Sequence, residues 1–386
     1  MDPIKSIHTY ALTIPRDVPY LGPLGELQPT QKGYFIRPRN QTVYSIHLHS
    51  VLVKVETHDG IVGYGEALCP VAPQVPCLII RELFQDFILG RDPQDAMVIY
   101  EDLYDMMRVR GYWGGFYTDA IAALDIALWD IKGKQLQLPI HKILGSRQSS
   151  IPAYVSGLPK ETLPERAVYA AQWKAKGFSA VKFAAAVANE GELQEMAEIR
   201  KAVGDDFKIL ADLHWRFTAP EAVRLIRQLN QYNLYLAEAP VHPQDIQGQA
   251  FVAQHCGVSV GIGEELRNIY EFRDRLEKHC MDVIQPEIGR IGISGMYKAC
   301  QLASSYHAKV MPHASIGVGL FQAASLQVSA TVQNLPFHEY QHSIFDEALR
   351  YLQTDMSCEK GMFHLPTGIG LGAEPDASVY QYAQEI

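Results

Sequence analysis

The sequence contains few cysteines and no CxxC motif. Only six of its 386 residues are cysteine, and none shows the spacing to histidine that structural zinc sites use. A disulfide framework or a zinc cluster is therefore not expected, and we predict reduced thiols. The six residues are Cys69, Cys77, Cys256, Cys280, Cys300 and Cys358.

Basic residues are outnumbered by acidic ones. The chain has 34 Lys and Arg against 43 Asp and Glu, which gives a formal net charge of -9. Binding to nucleic-acid phosphates requires a basic face, so no nucleic-acid partner is predicted. No apolar run is long enough to span a membrane, and the first residues, MDPIKSIHTY, lack the apolar core of a secretory signal. We therefore expect a cytoplasmic protein with no membrane partner.

The N-terminal part combines strand and helix patterns. The segment HLHSVLVKVETHD, the turn at Gly60 and IVGYGEAL together predict a β-hairpin, and DAIAALDIALWDIKGKQ has apolar residues at helical spacing. Before the hairpin, residues 15–41 are rich in Pro and Gly and too long for a simple connector. This part is predicted to be α+β, with a binding loop or lid at 15–41.

From about residue 150, short apolar runs alternate with amphipathic helices, which is typical of a parallel sheet or barrel. A polar residue ends most of these runs, and successive ones lie 26 or 23 residues apart, close to the length of one βα unit. In a (β/α)8 barrel all such residues face one mouth, whereas an open sheet gathers only a few. The spacing therefore favours the barrel. The residues are Asp212, Glu238, Glu264, Glu287, His313 and Glu339.

Three of these residues form a candidate metal site. Asp212, Glu238 and Glu264 end successive runs, and three facing carboxylates repel one another unless a cation lies between them. Oxygen ligands without cysteine suit Mg²⁺ or Mn²⁺ better than zinc. The alternative is that these acids are helix caps or exposed loop residues.

The other strand ends supply acid–base and charge candidates. Glu287 and His313 lie one βα unit apart, and a carboxylate beside an imidazole makes it a better general base. Lys182, in AVKFA, is suited to neutralise a substrate carboxylate. His214, two residues after Asp212, is either a second acid or base or a supporting residue.

The whole chain resembles the mandelate racemase branch of the enolase superfamily. The resemblance lies in DGIVGYGEA, in AIAALDIALWDIKGK followed by ILGSR, in the strand-end acids, in MPH and in GIGLG. It implies an α/β fold in which an α+β capping domain, residues 1–134 completed by 346–386, covers a modified TIM barrel of (β/α)7β type, residues 135–345. We also predict a homo-oligomer, between dimer and octamer.

The resemblance implies a role for each strand-end residue. Asp212, Glu238 and Glu264 would hold Mg²⁺. His313 with Glu287 would form the base dyad, and Glu339 would hydrogen-bond the enediolate.

Within that branch, DLHWRFT is similar to the sugar-acid dehydratases that act on galactonate or mannonate. This similarity implies that His214 is the general acid and that Lys182 contacts the substrate carboxylate. The predicted product is a 2-keto-3-deoxy sugar acid.

The chain departs from the family pattern at three places. The second lysine of Lys-x-Lys is Ala184, the neighbour of the second ligand is Ala239, and the dyad acid is Glu287 where relatives have Asp. A lysine–histidine racemase is therefore disfavoured. The alternatives that remain are a racemase or epimerase acting by other groups, a lactone cycloisomerase, and a catalytically silent sugar-acid binder.

Substrate specificity is expected to lie in the capping loops, around residues 15–41 and 108–117. Five residues there are candidates for contacts to distal hydroxyls or to a second carboxylate. They are Lys32, Tyr34, Arg37, Arg39 and Tyr112.

Overall fold

The computed structural model of the chain describes residues 2–20, 22–37, 42–188, 190–315 and 317–386. Its first sheet is antiparallel, in the order β18-β1-β4-β5. The predicted hairpin is present as β4 and β5. A second hairpin pairs β2 with β3, so part of the expected lid is regular structure rather than loop. These strands are β1 (Ile4–Pro15), β2 (Tyr34–Ile36), β3 (Val43–Ser45), β4 (His47–Thr57) and β5 (Val62–Ala67).

Five helices follow the first sheet. The predicted long helix is α4, which is buried over most of its length between β5 and the barrel helix α11. Gly63 and Gly65 allow β5 to lie directly on α4, because a Cβ at either position would collide with the backbone of Ala127 or Ala123. The helices are α1 (Gln74–Ile79), α2 (Gln85–Ile88), α3 (Ala96–Arg108), α4 (Phe116–Leu136) and α5 (Ile140–Leu144), with a π-helical turn at Ile80–Phe84 and a 3₁₀ turn at Pro93–Asp95.

The next part of the chain is a parallel barrel in which strands and helices alternate. Its elements are β6 (Ser150–Ser156), α6 (Leu163–Ala175), β7 (Ala180–Ala184), α7 (Glu192–Val203), β8 (Lys208–Asp212), α8 (Ala219–Asn230), β9 (Leu234–Glu238), α9 (Ile246–His255), β10 (Val260–Ile262), α10 (Ile269–Glu277), β11 (Val283–Ile284), α11 (Ile288–Ser305), β12 (Lys309–Val310), α12 (Leu320–Ser329) and β13 (His338–Tyr340).

The barrel closes between its first and last strands. Consecutive strands from β6 to β12 pair in parallel, β13 pairs with β6, and single backbone hydrogen bonds connect the β12 and β13 regions. Seven βα units and a final strand confirm the predicted (β/α)7β barrel with a capping domain. A layer of buried side chains fills the interior, as expected for a barrel core. It consists of Tyr154, Ala180, Leu210, Leu236, Val283, Met311 and Phe337.

The last segment returns to the first sheet, where β18 pairs with β1. The predicted domain limits at 134/135 and 345/346 stay a prediction. Within the described ranges, no helix combines the length and apolarity needed to cross a membrane. The final elements are α13 (His342–Ala348), β14 (Leu352–Thr354), β15 (Ser357–Glu359), β16 (Met362–His364), β17 (Ala373–Pro375) and β18 (Ala383–Glu385), with 3₁₀ turns at Leu349–Tyr351 and Ala377–Tyr382.

Candidate active site

Hydrogen bonds and ion pairs join the predicted strand-end residues at the carboxyl ends of neighbouring barrel strands. Asp212 pairs in register with Glu238, and Glu287 forms an isolated parallel bridge with His313. Lys182 lies on β7, and Glu339 on β13. Most of these side chains are almost inaccessible, with Lys182 4% exposed and Glu238 1% exposed. Buried charged groups of this density require mutual pairing.

His313 and Glu287 form a hydrogen-bonded pair. Nδ1 of His313 lies 2.7 Å from Oε2 of Glu287, and the other oxygen of Glu287 accepts the N–H of Gly289 at 2.8 Å. Glu287 is fully buried and caps the N-terminus of α11. The longer side chain found here in place of Asp thus still reaches the imidazole, and its second oxygen is anchored to the backbone.

The opposite nitrogen of His313 points toward two more carboxylates. Nε2 lies 3.0 Å from Oε2 of Glu264 and 3.8 Å from Oε2 of Glu339. Burial opposes a charge on this ring, but Glu264 and Glu339 outweigh that cost and raise the pKa of His313 well above its ordinary value. This arrangement favours the protonated imidazole, and Nε2 is the nitrogen that faces the other carboxylates of the site.

Lys182 bridges two acids. Its Nζ lies 2.5 Å from Oε1 of Glu238 and 2.9 Å from Oε1 of Glu339, with the ring of Tyr154 5.5 Å away. Burial disfavours the ammonium, but Glu238 and Glu339 raise the pKa of Lys182 well above its usual range. A lysine held in this way is a fixed positive charge and a poor proton acceptor.

The second oxygen of Glu238 accepts a hydrogen bond from Gln285, a residue that was not predicted from the sequence. Gln285 Nε2 donates to Oε2 of Glu238 at 2.6 Å, and Gln285 is 1% exposed. Gln285 directly follows β11 and precedes Glu287 by two residues, so its position at a strand end was the available signal. Burial and the nearby Asp212 raise the pKa of Glu238 despite the Lys182 charge.

His214 is held differently. Its backbone N–H donates to Oδ1 of Asp212 at 3.0 Å, and its Nδ1 lies 2.9 Å from the same oxygen, which is ion-pair distance without hydrogen-bond geometry. Burial lowers the pKa of His214, but Asp212 raises it more, to about 9. His214 and Trp215 both adopt φ of 52°, a left-handed conformation that is uncommon for non-glycine residues.

Asp212, Glu238 and Glu264 supply the oxygen donors that Mg²⁺ prefers, so the donor chemistry fits this ion. Burial first, and then the neighbouring carboxylates Asp212, Glu339 and Glu264, raise the pKa of Glu238, so a cation among these acids would be favourable. In the part of the chain that the structure describes, no three Asp, Glu, His or Cys groups converge closely enough to hold a metal. Lys182, His214 and His313 lie against these carboxylates in this structure.

The predicted distal residues are dispersed. Arg37 donates through Nη2 to the carbonyls of Tyr20 and Gly22, so it supports the lid backbone. Tyr34 accepts the N–H of Ala72 at 3.0 Å. Tyr112 is 57% exposed in the loop after α3. Arg39 lies outside the described residues.

Tyr20 is a second residue that the sequence reading missed. Its hydroxyl accepts a hydrogen bond from Nε2 of Gln341 at 2.7 Å, two residues beyond Glu339 on the barrel rim. Arg16 also reaches the barrel side, with Nη2 3.4 Å from Oε2 of Glu347. Two residues of the predicted lid therefore contact the chain just after β13, one by a hydrogen bond at the start of α13 and one by an ion pair within α13. No local sequence pattern links residues so far apart along the chain.

The fold and the ring of strand-end acids define an enzyme of the enolase type, and comparison with known families agrees. Residues 165–379 match the model described as enolase C-terminal domain-like, and residues 29–145 match the N-terminal domain of mandelate racemase and muconate lactonizing enzyme. The chain belongs to the mandelate racemase branch of the enolase superfamily, as its motifs predicted.

Its relatives include both isomerases and dehydratases. The chain is 30% identical over 340 residues to D-galactarolactone cycloisomerase of Agrobacterium fabrum, covering 84% of this chain and 88% of that one. It is 27% identical to D-galactonate dehydratase of Ralstonia pickettii, covering 88% and 92%. A crystal structure of a putative isomerase from Sinorhizobium meliloti is 46% identical over the full length of both chains, with a TM-score of 0.98.

Proposed function

We propose that this enzyme is a Mg²⁺-dependent dehydratase of acid sugars, either aldonates or aldarates, that forms a 2-keto-3-deoxy sugar acid. The observation that supports this proposal is the pair of imidazoles, His313 and His214, on different strands around one group of carboxylates. Dehydration needs a base for the α-proton and an acid for the departing hydroxyl. This pair provides both.

In this proposal Asp212, Glu238 and Glu264 hold the magnesium ion. When bound, the ion supplies electrostatic stabilisation for negative charge on the substrate carboxylate. Lys182, His214 and His313, which now lie against these three carboxylates, would give up those contacts in the loaded site.

Lys182 and Glu339 would orient the substrate. The Lys182 ammonium is the charge that pairs with the substrate carboxylate, and it is already fixed beside Glu339 at 2.9 Å. Glu339 Oε2 accepts the N–H of Ala314 at 2.9 Å, which fixes that carboxyl near the base loop. A hydrogen bond from the Lys182 ammonium, oriented by Glu339, stabilises the negative charge that develops when the α-proton leaves.

His313 would take the α-proton on Nε2. Its Nδ1–H stays with Glu287, which orients the ring and leaves Nε2 as the basic nitrogen. Nε2 can accept a proton only when its ion pair with Glu264 is replaced. The base is therefore expected to become active only in the loaded site, which limits proton transfer in the empty enzyme.

His214 would complete the elimination. The electrons of the broken C–H bond form the enediolate, which then expels the β-hydroxyl as His214 gives it a proton and water leaves. His214 follows Asp212 by two residues, so an imidazolium there would lie beside the reacting end of the substrate, as a general acid requires. The resulting enol tautomerises to the 2-keto acid.

Lactone cycloisomerisation is the second candidate, because one of the relatives reported above carries that name. It would share the metal, Lys182 and the base but would break a bond to a ring oxygen and release no water. A racemase using lysine as its second base is less suited, because Lys182 is a fixed cation and Ala184 offers no proton acceptor.

The product mass separates these reactions. Aldonates, aldarates and their lactones would be incubated with enzyme and Mg²⁺, and products analysed by mass spectrometry in normal and deuterated water. Dehydration predicts a product lighter by one water. An isomer of unchanged mass from a lactone would support cycloisomerisation, and binding without any conversion or exchange would indicate a silent binder.

We further propose a cytoplasmic homo-oligomer that acts on a small sugar acid and has no nucleic-acid partner. Exposed Val109 and Trp113, 91% and 50% accessible, are apolar residues suited to a contact between copies. Sedimentation analysis would measure the oligomeric state. A monomer at all concentrations would contradict this part of the proposal.

A further inference from the structure

Strand β5 of the capping domain contacts the barrel at two loops, one that follows Glu287 and one that follows His313. Leu68, just after β5, donates its N–H to the carbonyl of Gly289 at 2.9 Å, two residues after Glu287. Glu66, within β5, contacts the segment that leads from His313 into α12. One strand therefore touches the chain just beyond both members of the dyad.

Glu66 is fully buried and accepts five hydrogen bonds. Oε1 accepts from Oγ of Ser50 and from the N–H of Val318, both at 2.6 Å. Oε2 accepts from the three N–H groups at the start of α12. These come from Gly319 at 3.1 Å, Leu320 at 2.8 Å and Phe321 at 3.3 Å. A carboxylate in this position satisfies helix N–H groups that have no partner within the helix and complements the helix dipole.

We propose that Glu66 is a positioning residue for the general base His313, an inference that rests on the proposed function. Between His313 and α12 lie only residues 314–319. Ala314 is fixed at one end by Glu339 Oε2, and residues 318–321 are fixed at the other by Glu66. The capping domain thereby holds the backbone that carries the base, in addition to covering the substrate.

The frame behind Glu66 is stiff enough for this role. β5 pairs with β4 over its whole length, and Gly63 and Gly65 bring it into backbone contact with α4. Gly289 is packed equally closely, because a Cβ there would lie 2.8 Å from both N and Cβ of Leu68. β5 therefore holds the Glu66 carboxylate firmly against the start of α12, and this direct contact is what the proposal tests.

The proposal depends on an acceptor-only group. In Glu66→Gln the shape is kept, but the amide NH₂ cannot accept the N–H bonds made by one carboxylate oxygen. The start of α12 would then shift or lose its partners, and His313 with it. A misplacement on the order of 1 Å at a catalytic group can cost roughly 100-fold in rate.

Asp130→Asn is the matched control. Asp130 is also a fully buried acid of the N-terminal part and accepts the N–H groups of Tyr64 and Leu371 at 3.0 and 2.9 Å, neither of which lies at a barrel strand end. Both variants should lower the melting temperature. Only Glu66→Gln should lower kcat and α-proton exchange, by roughly 100-fold, with KM changed less than about threefold.

A second measurement is independent of the reaction. Hydrogen exchange followed by mass spectrometry on the substrate-free protein should show faster exchange for residues 314–321 in Glu66→Gln than in Asp130→Asn. Equal kcat losses in the two variants, or equal exchange of that segment, would overturn the proposal. If the wild type converts no sugar acid, the proposed function fails and the exchange measurement alone decides the positioning role. If Glu66→Gln does not fold, Glu66→Asp replaces it in both measurements.

Discussion

His313 is tied through Nδ1 to a buried carboxylate that itself caps a helix, whereas His214 has its Nδ1 only within ion-pair distance of Asp212. The base side is built from backbone-anchored groups on β11, β12 and the capping strand β5. The acid side stands on a left-handed turn after β8. The orientation of the His313 ring is therefore fixed in advance by Glu287. The His214 ring is free to reorient when a ligand replaces Asp212 as its partner.

Replacing the base should have the largest effect. His313→Asn removes the proton acceptor, so turnover and exchange of the α-proton with deuterated solvent should both fall, by about 10⁴-fold or more. Proton NMR of the substrate in deuterated buffer measures the exchange. Exchange that persists in this variant would show that His313 is not the base.

Replacing the acid should separate the two steps. In His214→Asn hydroxide must leave without a proton, so dehydration should fall by roughly 10² to 10⁴-fold. Exchange should continue slowly, because the base is intact and can return solvent deuterium. If α-proton exchange is instead lost in His214→Asn and retained in His313→Asn, His214 is the base and His313 the acid.

Removing a proposed metal ligand tests the Mg²⁺ site that would lie between His313 and His214. Glu238→Gln should lose most Mg²⁺ affinity while remaining folded, because less carboxylate repulsion offsets part of the lost pairing with Lys182. For the wild type, Mg²⁺ at about 100 times its Kd should add about 2.7 kcal/mol of stability. Thermal melts with and without Mg²⁺ measure this, and an unchanged Mg²⁺ response in the variant would remove Glu238 from the ligand set.

The lid contact should have a modest effect. Tyr20→Phe deletes one hydrogen bond to Gln341, worth about 1 kcal/mol, and should raise KM about fivefold with little change in kcat. Tyr306→Phe serves as the control because Tyr306 is exposed at the end of α11, outside the capping loops. A kcat loss without a KM change would mean that Tyr20 acts in the chemistry rather than in closure.

The support of the base side should affect the pH dependence of stability rather than activity. Asp125 on α4 accepts the N–H and hydroxyl of Ser294 on α11, and burial raises its pKa from 3.8 to about 7. The folded state therefore retains a proton that the unfolded chain has lost, so this group destabilises the protein as pH rises from about 4 to 7. Asp125→Asn should remove that slope. Melting temperatures of both proteins from pH 4 to 8 test it, and parallel curves would contradict the expected titration.

The sequence was informative where one rule covers many residues. Equal spacing of strand-end acids predicted the barrel and the proximity of Glu287 and His313, because every βα unit repeats the same geometry. It also placed Asp212 beside Glu238. Strand β2 was missed within the expected lid because three residues carry too little pattern.

Residues whose role depends on long-range packing were not predictable. Glu66 contacts Val318 across 252 positions, and Tyr20 contacts Gln341 across 321. No periodicity in either segment identifies such a partner. The sequence also showed which carboxylates gather but not that Lys182, His214 and His313 serve as their counter-ions, because those pairings depend on side-chain rotamers.

The pairing of β18 with β1 has a consequence for synthesis on the ribosome. Tyr10 pairs with Glu385 in that ladder, so the β18 side of β1 has no strand partner until residues 383–385 have been synthesised. Until then a nascent chain exposes the edge of β1, and an open edge invites pairing with other chains. We expect the barrel to fold earlier, because its last strand, β13, ends at Tyr340.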